Sequence, residues 1–193
     1  MTSVFATALH PADSQQVFRA VLEALARPGT PMALPAGPLR TLAPAVVPVF
    51  AFADLGTGVC VLEHAGDRWA DIVTTATSAP LWPAELARLV AAVRPVTEAE
   101  IRDFARGTAA APGTAALVSL AVPDIHGGPR GWRMSGPGIR GETTLAPLGL
   151  APGFAAARAD AVAGYPAGID VLLVTRDGRV VGVPRTTTIT EES

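Results

Sequence analysis

Polar and apolar positions near the start of the chain repeat with a helical period. From Asp13 to Arg27, apolar side chains recur three and four positions apart, which predicts an amphipathic helix whose packing face holds Val17, Phe18, Val21, Leu22 and Leu25. Asp13 and Gln16 stand at capping-box spacing, so we expect the helix to begin there. Pro28 and Gly29 end the pattern.

Three later segments also favour helices: Asp67 to Thr77, Thr97 to Phe104 and Ala151 to Val162. The second of these opens on a capping box formed by Thr97 and Glu100. Two segments leave the choice open. Thr41 to Asp54 is a helix only if Pro48 lies in its first turn or kinks it, and Pro83 to Val93 fits a helix or a strand.

Short apolar runs predict strands, mainly in the second half of the chain. They are Val59 to Glu63, Thr114 to Val122 with Trp132 to Ser135 as its short partner, Ile169 to Thr175, and Val180 to Val183. Asp177 and Gly178 between the last two runs predict a hairpin with a type I′ turn. Helices and strands mix without strict alternation. The pattern therefore predicts an α/β fold, with a mixed sheet flanked by helices in one domain over residues 1–193.

Charge and hydropathy indicate a soluble cytoplasmic protein. The net charge of -2 gives no reason to expect nucleic acid or an anionic membrane as a partner. The segment Met1 to Leu9 lacks the basic residues of a secretory signal. The longest apolar stretch, Leu42 to Ala53, contains two prolines and is shorter than the roughly 20 residues of a membrane span.

The absence of lysine removes several chemistries, because all 15 cationic residues are arginine. A pyridoxal-phosphate aldimine needs a lysine amine, and a Walker-type phosphate loop needs a lysine on the phosphates. The chain has no lysine for either role, so we expect no pyridoxal-phosphate cofactor and no Walker-type nucleotide site.

A glycine-rich segment, Gly136-Pro137-Gly138-Ile139-Arg140-Gly141, matches the G-x-G-x-x-G pattern of dinucleotide sites. In such sites the pattern opens a helix whose amide dipoles face the pyrophosphate. Here β-branched residues and Pro147 follow, which is a poor helix start. The glycines are therefore expected to shape a turn or bulge, and Gly138→Ala should lower stability if φ is positive there.

Residues with metal-binding or nucleophilic chemistry form no recognisable motif. His10, His64 and His126 are far apart in sequence, and no serine lies in a G-x-S-x-G pattern. Cys60 is flanked by valines and a leucine, which is typical of a buried strand thiol. We therefore predict no metal site and no catalytic residue.

Arginines are the remaining candidates for binding. Arg130, Arg133 and Arg140 surround the glycine-rich segment, and Arg185 with Thr186 follows the hairpin. Guanidinium groups suit phosphate, carboxylate or a partner protein, so Arg130, Arg133, Arg185 and Thr186 are candidate anion or partner contacts. The alternative is that they pair with carboxylates such as Asp124 and Glu142.

Several segments, taken in order, resemble the PhnH family of phosphonate metabolism. They are Phe18-Arg19 with Leu22, Ala24 and Pro28-Gly29, Ala53-Asp54 with Thr57, Thr77 to Pro80, Gly107-Thr108 with Pro112, Gly136 to Ile139, Tyr165-Pro166-Ala167-Gly168-Ile169-Asp170, and Pro184-Arg185-Thr186-Thr187. The last two are the most specific. The family can carry Phe where Tyr165 stands.

The resemblance implies a subunit of the carbon–phosphorus lyase core complex, with PhnG, PhnI and PhnJ as partners. That system forms ribose 1-phosphonate 5-triphosphate from ATP and a phosphonate. It also implies the pyridoxal-phosphate transferase fold without the cofactor, and no catalytic residue set. The competing hypotheses are a stand-alone enzyme that binds a small anion or phosphate ester at the arginine-lined glycine loop, and a purely structural homodimer.

Composition adds an expectation about surfaces. A chain that is 49% apolar is expected to expose a patch that binds a protein partner, or a second copy when alone. Ile169 to Val183, with Arg185 and Thr186, is the predicted contact. The alternative is that this hairpin belongs to the central core.

Overall fold

The computed structural model describes residues 9–192. The helices are α1 (Pro11–Ala26), α2 (Val46–Phe52), α3 (Trp69–Thr77), α4 (Glu98–Asp103) and α5 (Phe154–Val162). The strands are β1 (Met32–Ala33), β2 (Val59–Leu62), β3 (Leu89–Ala92), β4 (Leu117–Val122), β5 (Gly131–Ser135), β6 (Thr143–Leu145), β7 (Asp170–Thr175), β8 (Arg179–Val183) and β9 (Thr188–Glu192). Within these residues no helix is both long and apolar enough to cross a membrane.

A six-stranded mixed sheet forms the centre of the molecule. Its strand order is β1-β8-β7-β4-β3-β2. Strands β2, β3, β4 and β7 pair in parallel, whereas β8 pairs antiparallel with both of its neighbours, β7 and β1. Continuous apolar runs form these strands because both faces of the sheet are covered. The predicted α/β fold with a mixed sheet is confirmed.

Two apolar clusters lie on opposite faces of this sheet. One contains residues of α1, α2 and α3 packed on Leu172 and Val174 of β7. The other contains residues of α4 and α5 packed on Val171 and Leu173 of the same strand. Because side chains alternate along a strand, β7 supplies both clusters and lies in the middle of the core.

A second sheet covers part of the face formed by α4 and α5. It is antiparallel, in the order β6-β5-β9, and Trp132 of β5 stacks on Phe154 of α5 with ring centroids 5.5 Å apart. The expected pairing of Trp132 to Ser135 with the Thr114 to Val122 run is therefore wrong. The short run Trp132 to Ser135 predicted β5 as a strand but carried no information about which strand lies beside it.

Several predicted element boundaries are corrected by the structure. Helix α1 begins at Pro11 instead of Asp13, with His10 as its N-cap, and His10 Nδ1 accepts a bond from the Ala12 amide (3.4 Å). Proline at the first helical position needs no amide partner there. The open choices are resolved as α2, with Pro48 in its first turn, and as strand β3 within Pro83 to Val93.

The β7–β8 hairpin is confirmed, but its predicted type I′ turn is wrong. The Gly178 amide donates to the Thr175 carbonyl (3.0 Å), and within the loop only Gly178 has positive φ (82°). Arg176 to Gly178 therefore form a three-residue loop with a left-handed glycine, a common alternative to the two-residue turn. The Arg179 amide donates to the Thr175 hydroxyl (3.0 Å), which stabilises the loop.

Candidate functional site

Arg130 and Arg133 form cross-strand ion pairs in the second sheet. Arg130 Nη1 lies 3.0 Å from Glu191 Oε2, and Arg133 Nε lies 2.9 Å from Glu192 Oε1. Arg133 Nε is also 3.8 Å from a carboxylate oxygen of Glu142. The charges of both arginines are thus compensated by carboxylates. For Arg133 one of these is Glu142, which was named among the alternative ion-pair partners.

Arg185 is fixed against the start of β7. Its backbone amide and its guanidinium both bind the Asp170 carboxylate, with Nη2 2.6 Å from Oδ2, and Nη1 donates to the carbonyls of Pro112 and Pro166. Only 15% of its side chain is exposed. The guanidinium is therefore committed to intramolecular contacts.

The four predicted contact residues do not form one cluster. Arg130 precedes β5 at one end of the second sheet, whereas the carbonyl of Thr186 lies against Gly136 at the other end of that strand. Thr186 itself is exposed. The prediction that these residues contact an anion or a partner stays a prediction, and any such contacts would be separate.

The glycine-rich segment supports packing. Gly138 has positive φ (85°), and a Cβ there would lie 2.3 Å from the Ala26 carbonyl oxygen at the end of α1. Gly136 likewise approaches Thr186 closely. Strand β6 follows this segment, so its amides do not open a helix as they do in a dinucleotide site.

A concave site lies at the carboxyl ends of three parallel strands. The chain segments that leave β3, β4 and β7 (residues 93–95, 121–123 and 174–176) surround a cavity of about 330 Å³, closed by residues 43–45 and Gly149. We call it the carboxyl-edge pocket. Its wall is mainly alanine, valine and proline.

Arg94 enters this pocket as part of a rigid polar group. Its guanidinium binds both carboxylate oxygens of Glu100 (2.6 and 3.2 Å) and donates to the Pro95 carbonyl. The same carboxylate accepts from the Thr97 amide (2.8 Å), and the Thr97 hydroxyl accepts from the Glu100 amide, which completes the predicted capping box of α4. The side-chain bond from Arg94 is the largest cause that lowers the pKa of Glu100 to about 2.

Arg176 and Thr175 form the polar part of the pocket next to the β7–β8 loop. Thr175 is buried, and its hydroxyl is bonded to Asp177 and to the Arg179 amide. Arg179 has two carboxylate partners, Asp177 and Asp124. Arg176 is exposed, and among residues 9–192 no carboxylate lies within 4.0 Å of its guanidinium.

Cys60 is a half-buried thiol on β2, in agreement with its predicted strand position. Burial is the main cause that raises its pKa, so the protonated form is favoured. In the described part of the chain, no group of three histidine, cysteine, aspartate or glutamate side chains is placed to bind a metal ion.

Arg158 of α5 is a buried cation that the sequence analysis did not single out. It is 2% exposed, and its guanidinium donates to the carbonyls of Thr187 (2.9 Å) and Pro184. Burial lowers the pKa of Arg158 to about 10, and the nearby Asp170 opposes this shift. Arg158 thus holds the segment between β8 and β9 against α5.

The sequence analysis also did not predict the carboxyl-edge pocket, although the sequence contains a weak indication of it. Arg94 follows Pro83 to Val93, which fitted a helix or a strand, and Arg176 follows the predicted strand Ile169 to Thr175. Residues that follow parallel strands of one sheet lie at the same edge of that sheet, and here β4 lies between β3 and β7. The sequence did not reveal that the two strands share a direction, so the two arginines were not connected.

Comparisons with known proteins place these features in context. A model of the family described as "Bacterial phosphonate metabolism protein (PhnH)" matches residues 5–190. The chain is also 29% identical over 192 residues to the alpha-D-ribose 1-methylphosphonate 5-triphosphate synthase subunit PhnH of Rhizobium meliloti (strain 1021). That match covers 93% of this chain and 92% of the relative.

Proposed function

Since the chain belongs to the PhnH family of bacterial phosphonate metabolism proteins, we propose that it is a cytoplasmic subunit of the carbon–phosphorus lyase core complex. In this role it serves the synthase that forms ribose 1-phosphonate 5-triphosphate from ATP and a phosphonate. The observation that carries the proposal is the match along nearly the whole chain to a relative of similar length named as a synthase subunit.

The proposed partners are PhnG, PhnI and PhnJ, and the contribution of this chain is a binding surface. The predicted surface, the β7–β8 hairpin, lies in the core: Leu172, Leu173, Val180 and Val181 are fully buried. Strand β8 is also paired on both sides, by β7 and β1. The hairpin therefore offers a partner neither a free strand edge nor an apolar strand face.

A better candidate lies beside β2 at the other edge of the main sheet. Leu81, Trp82 and Leu86, which we call the β2-edge patch, are 52%, 43% and 59% exposed. The Trp82 ring covers Gly58, and the Trp82 amide donates to the Val59 carbonyl (2.9 Å), so the patch is held rigidly against the strand. Exposed apolar side chains beside a sheet edge are typical of protein interfaces.

Coexpression with PhnG, PhnI and PhnJ tests the proposal. We expect the wild-type chain to copurify with all three in stoichiometric amounts, and we expect Trp82→Asp and Leu86→Asp to weaken this association. Leu148→Asp is the matched control, because Leu148 is 39% exposed and lies in the loop after β6. A wild-type chain that purifies alone would contradict the subunit role, and normal assembly by the patch variants would exclude only this surface.

In isolation, the chain is proposed to cover an apolar surface by forming a homodimer. Light scattering coupled to size-exclusion chromatography should give twice the mass of the 19.7 kDa chain for the wild type. Trp82→Asp should give a monomer if the same patch is used. A monomeric wild type at micromolar concentration would refute self-association.

The proposed fold relationship is to pyridoxal-phosphate transferases without their cofactor. The mixed sheet is compatible with it, and the lack of lysine prevents an internal aldimine. The purified chain should therefore gain no aldimine absorbance when it is incubated with pyridoxal phosphate. A stoichiometric absorbing complex would refute this expectation.

A further inference from the structure

The carboxyl-edge pocket lies where open parallel sheets commonly bind ligands. The strands β3, β4 and β7 all point their carboxyl ends toward it. In open α/β sheets, ligands bind in the crevice beyond these ends, because the loops that leave the strands form its walls. No contact of the proposed complex is needed to form this pocket, since every wall residue belongs to one chain.

The size and wall chemistry of the pocket suit a small molecule with an apolar part. Its volume of about 330 Å³ is within the usual range for ligand sites. Ala43, Val122 and Val174 contribute to a mostly apolar wall. Burial of an apolar group against such a wall is favourable because it removes apolar surface from water.

The charges at the pocket are unequally compensated. Arg94 is neutralised by Glu100, and Arg179, just beyond the pocket, faces two carboxylates. Arg176 is the lining cation for which the described residues supply no carboxylate within 4.0 Å. An anionic group bound at Arg176 would gain a charge-assisted hydrogen bond without displacing an existing ion pair.

We propose that the carboxyl-edge pocket binds a small organic anion. The apolar body of the ligand lies against the alanine, valine and proline wall, and its phosphoryl or carboxylate group pairs with Arg176. Arg94, held by Glu100 and by the Pro95 carbonyl, forms a fixed part of the wall. The inference is independent of the subunit role, because it concerns a site within the isolated chain.

Nuclear magnetic resonance titration of the isotope-labelled full chain tests the inference. The probes are phenylphosphonate, benzoate, benzyl alcohol and inorganic phosphate at millimolar concentrations. We expect both aromatic anions to shift the amide signals of Ala121 and Gly149 saturably. We expect benzyl alcohol, which lacks the charge, and phosphate, which lacks the ring, to bind at least about tenfold more weakly. The tighter of the two anions identifies the preferred head group.

Two variants and one control make the test specific. Arg176→Gln should remove the advantage of the anions over benzyl alcohol, whereas Ala43→Leu should fill the pocket and abolish binding of every probe. Arg19→Gln is the matched control, because Arg19 is exposed on α1 and the described residues place no carboxylate within 4.0 Å of it. Unchanged anion binding by Arg176→Gln, or no saturable shift in the wild type, would overturn the proposal. Failure here leaves copurification with the proposed partners unaffected, so the two proposals are tested separately.

Discussion

Glu100 is predicted to stabilise the fold through its ion pair with Arg94, and this contribution is expected to disappear in acid. The pKa of the Glu100 carboxyl is about 2 in the folded chain, against an ordinary value of 4.5. That difference corresponds to roughly 3 kcal/mol of stabilisation at neutral pH. About a quarter of each side chain is exposed, 29% for Arg94 and 26% for Glu100, so we expect about 2 kcal/mol after solvent screening.

The sign of the pH dependence follows from the lowered pKa. Folding favours the ionised carboxylate, so the stabilisation is complete above pH 4.5 and is lost as the pH falls toward 2. Glu100→Gln removes the charge but keeps a side-chain oxygen that can accept from the Thr97 amide, as in a capping box. The difference between wild type and Glu100→Gln therefore measures the effect of the carboxylate charge, which comes mainly from Arg94 and also from Thr97, and Glu100→Ala removes the cap as well.

Urea denaturation at pH 7 and at pH 2.5 measures this effect. At pH 7, Glu100→Gln should unfold with about 2 kcal/mol less free energy than the wild type, or about 4–8 °C lower in thermal midpoint. At pH 2.5 most of the difference should be gone. Arg94→Gln should give a similar loss at pH 7 and little further loss when combined with Glu100→Gln. A difference that is the same at both pH values would refute this account of Glu100.

Two further predictions concern packing. Gly138→Ala should lower the free energy of unfolding by about 2–3 kcal/mol in urea, because the added Cβ meets the Ala26 carbonyl at a positive φ. Gly141→Ala, with φ of 73° and open space around its Cβ, should lose only about 1 kcal/mol, and equal losses would contradict the packing argument. Arg158→Met should lower the free energy of unfolding by about 3 kcal/mol, since the carbonyls of Thr187 and Pro184 lose buried donors. A variant as stable as the wild type would refute this, and Arg19→Met is the control.

The features that could be predicted from the sequence are those formed by residues close together along the chain. The capping box of Thr97 and Glu100 and the β7–β8 hairpin are both set by residues a few positions apart, and both are present. The partner of β5 was not predictable in the same way. Arg133 pairs with Thr190 across the second sheet, and no local pattern links these segments.

In the candidate sites, too, some contacts are set by residues close in sequence and others by the order of distant strands. Arg185 was a candidate anion or partner contact, and the hairpin register, which pairs Val171 with Val183, brings its guanidinium next to Asp170. That contact was available from the predicted hairpin. The carboxyl-edge pocket was not, because it needs the strand order of the main sheet. Phe18 and Leu22, expected on the packing face of α1, are instead 44% and 49% exposed. The helical period located the apolar side of α1 but not which part of that side the rest of the chain covers.

The position of β8 between β7 and β1 has a consequence for folding kinetics. It places Val180 beside Met32, and Gly182 lies so close to the Ala24 carbonyl that a Cβ would come within 2.4 Å. The chain segment between β1 and β8 contains most of the core strands. The chain loses conformational entropy when the ends of this long segment meet, before the contacts of β8 with α1 and β1 stabilise the fold. High contact order of this kind slows folding to milliseconds or longer. We therefore expect the docking of α1 and β1 on β8 to complete the native core late, after the parallel strands have paired.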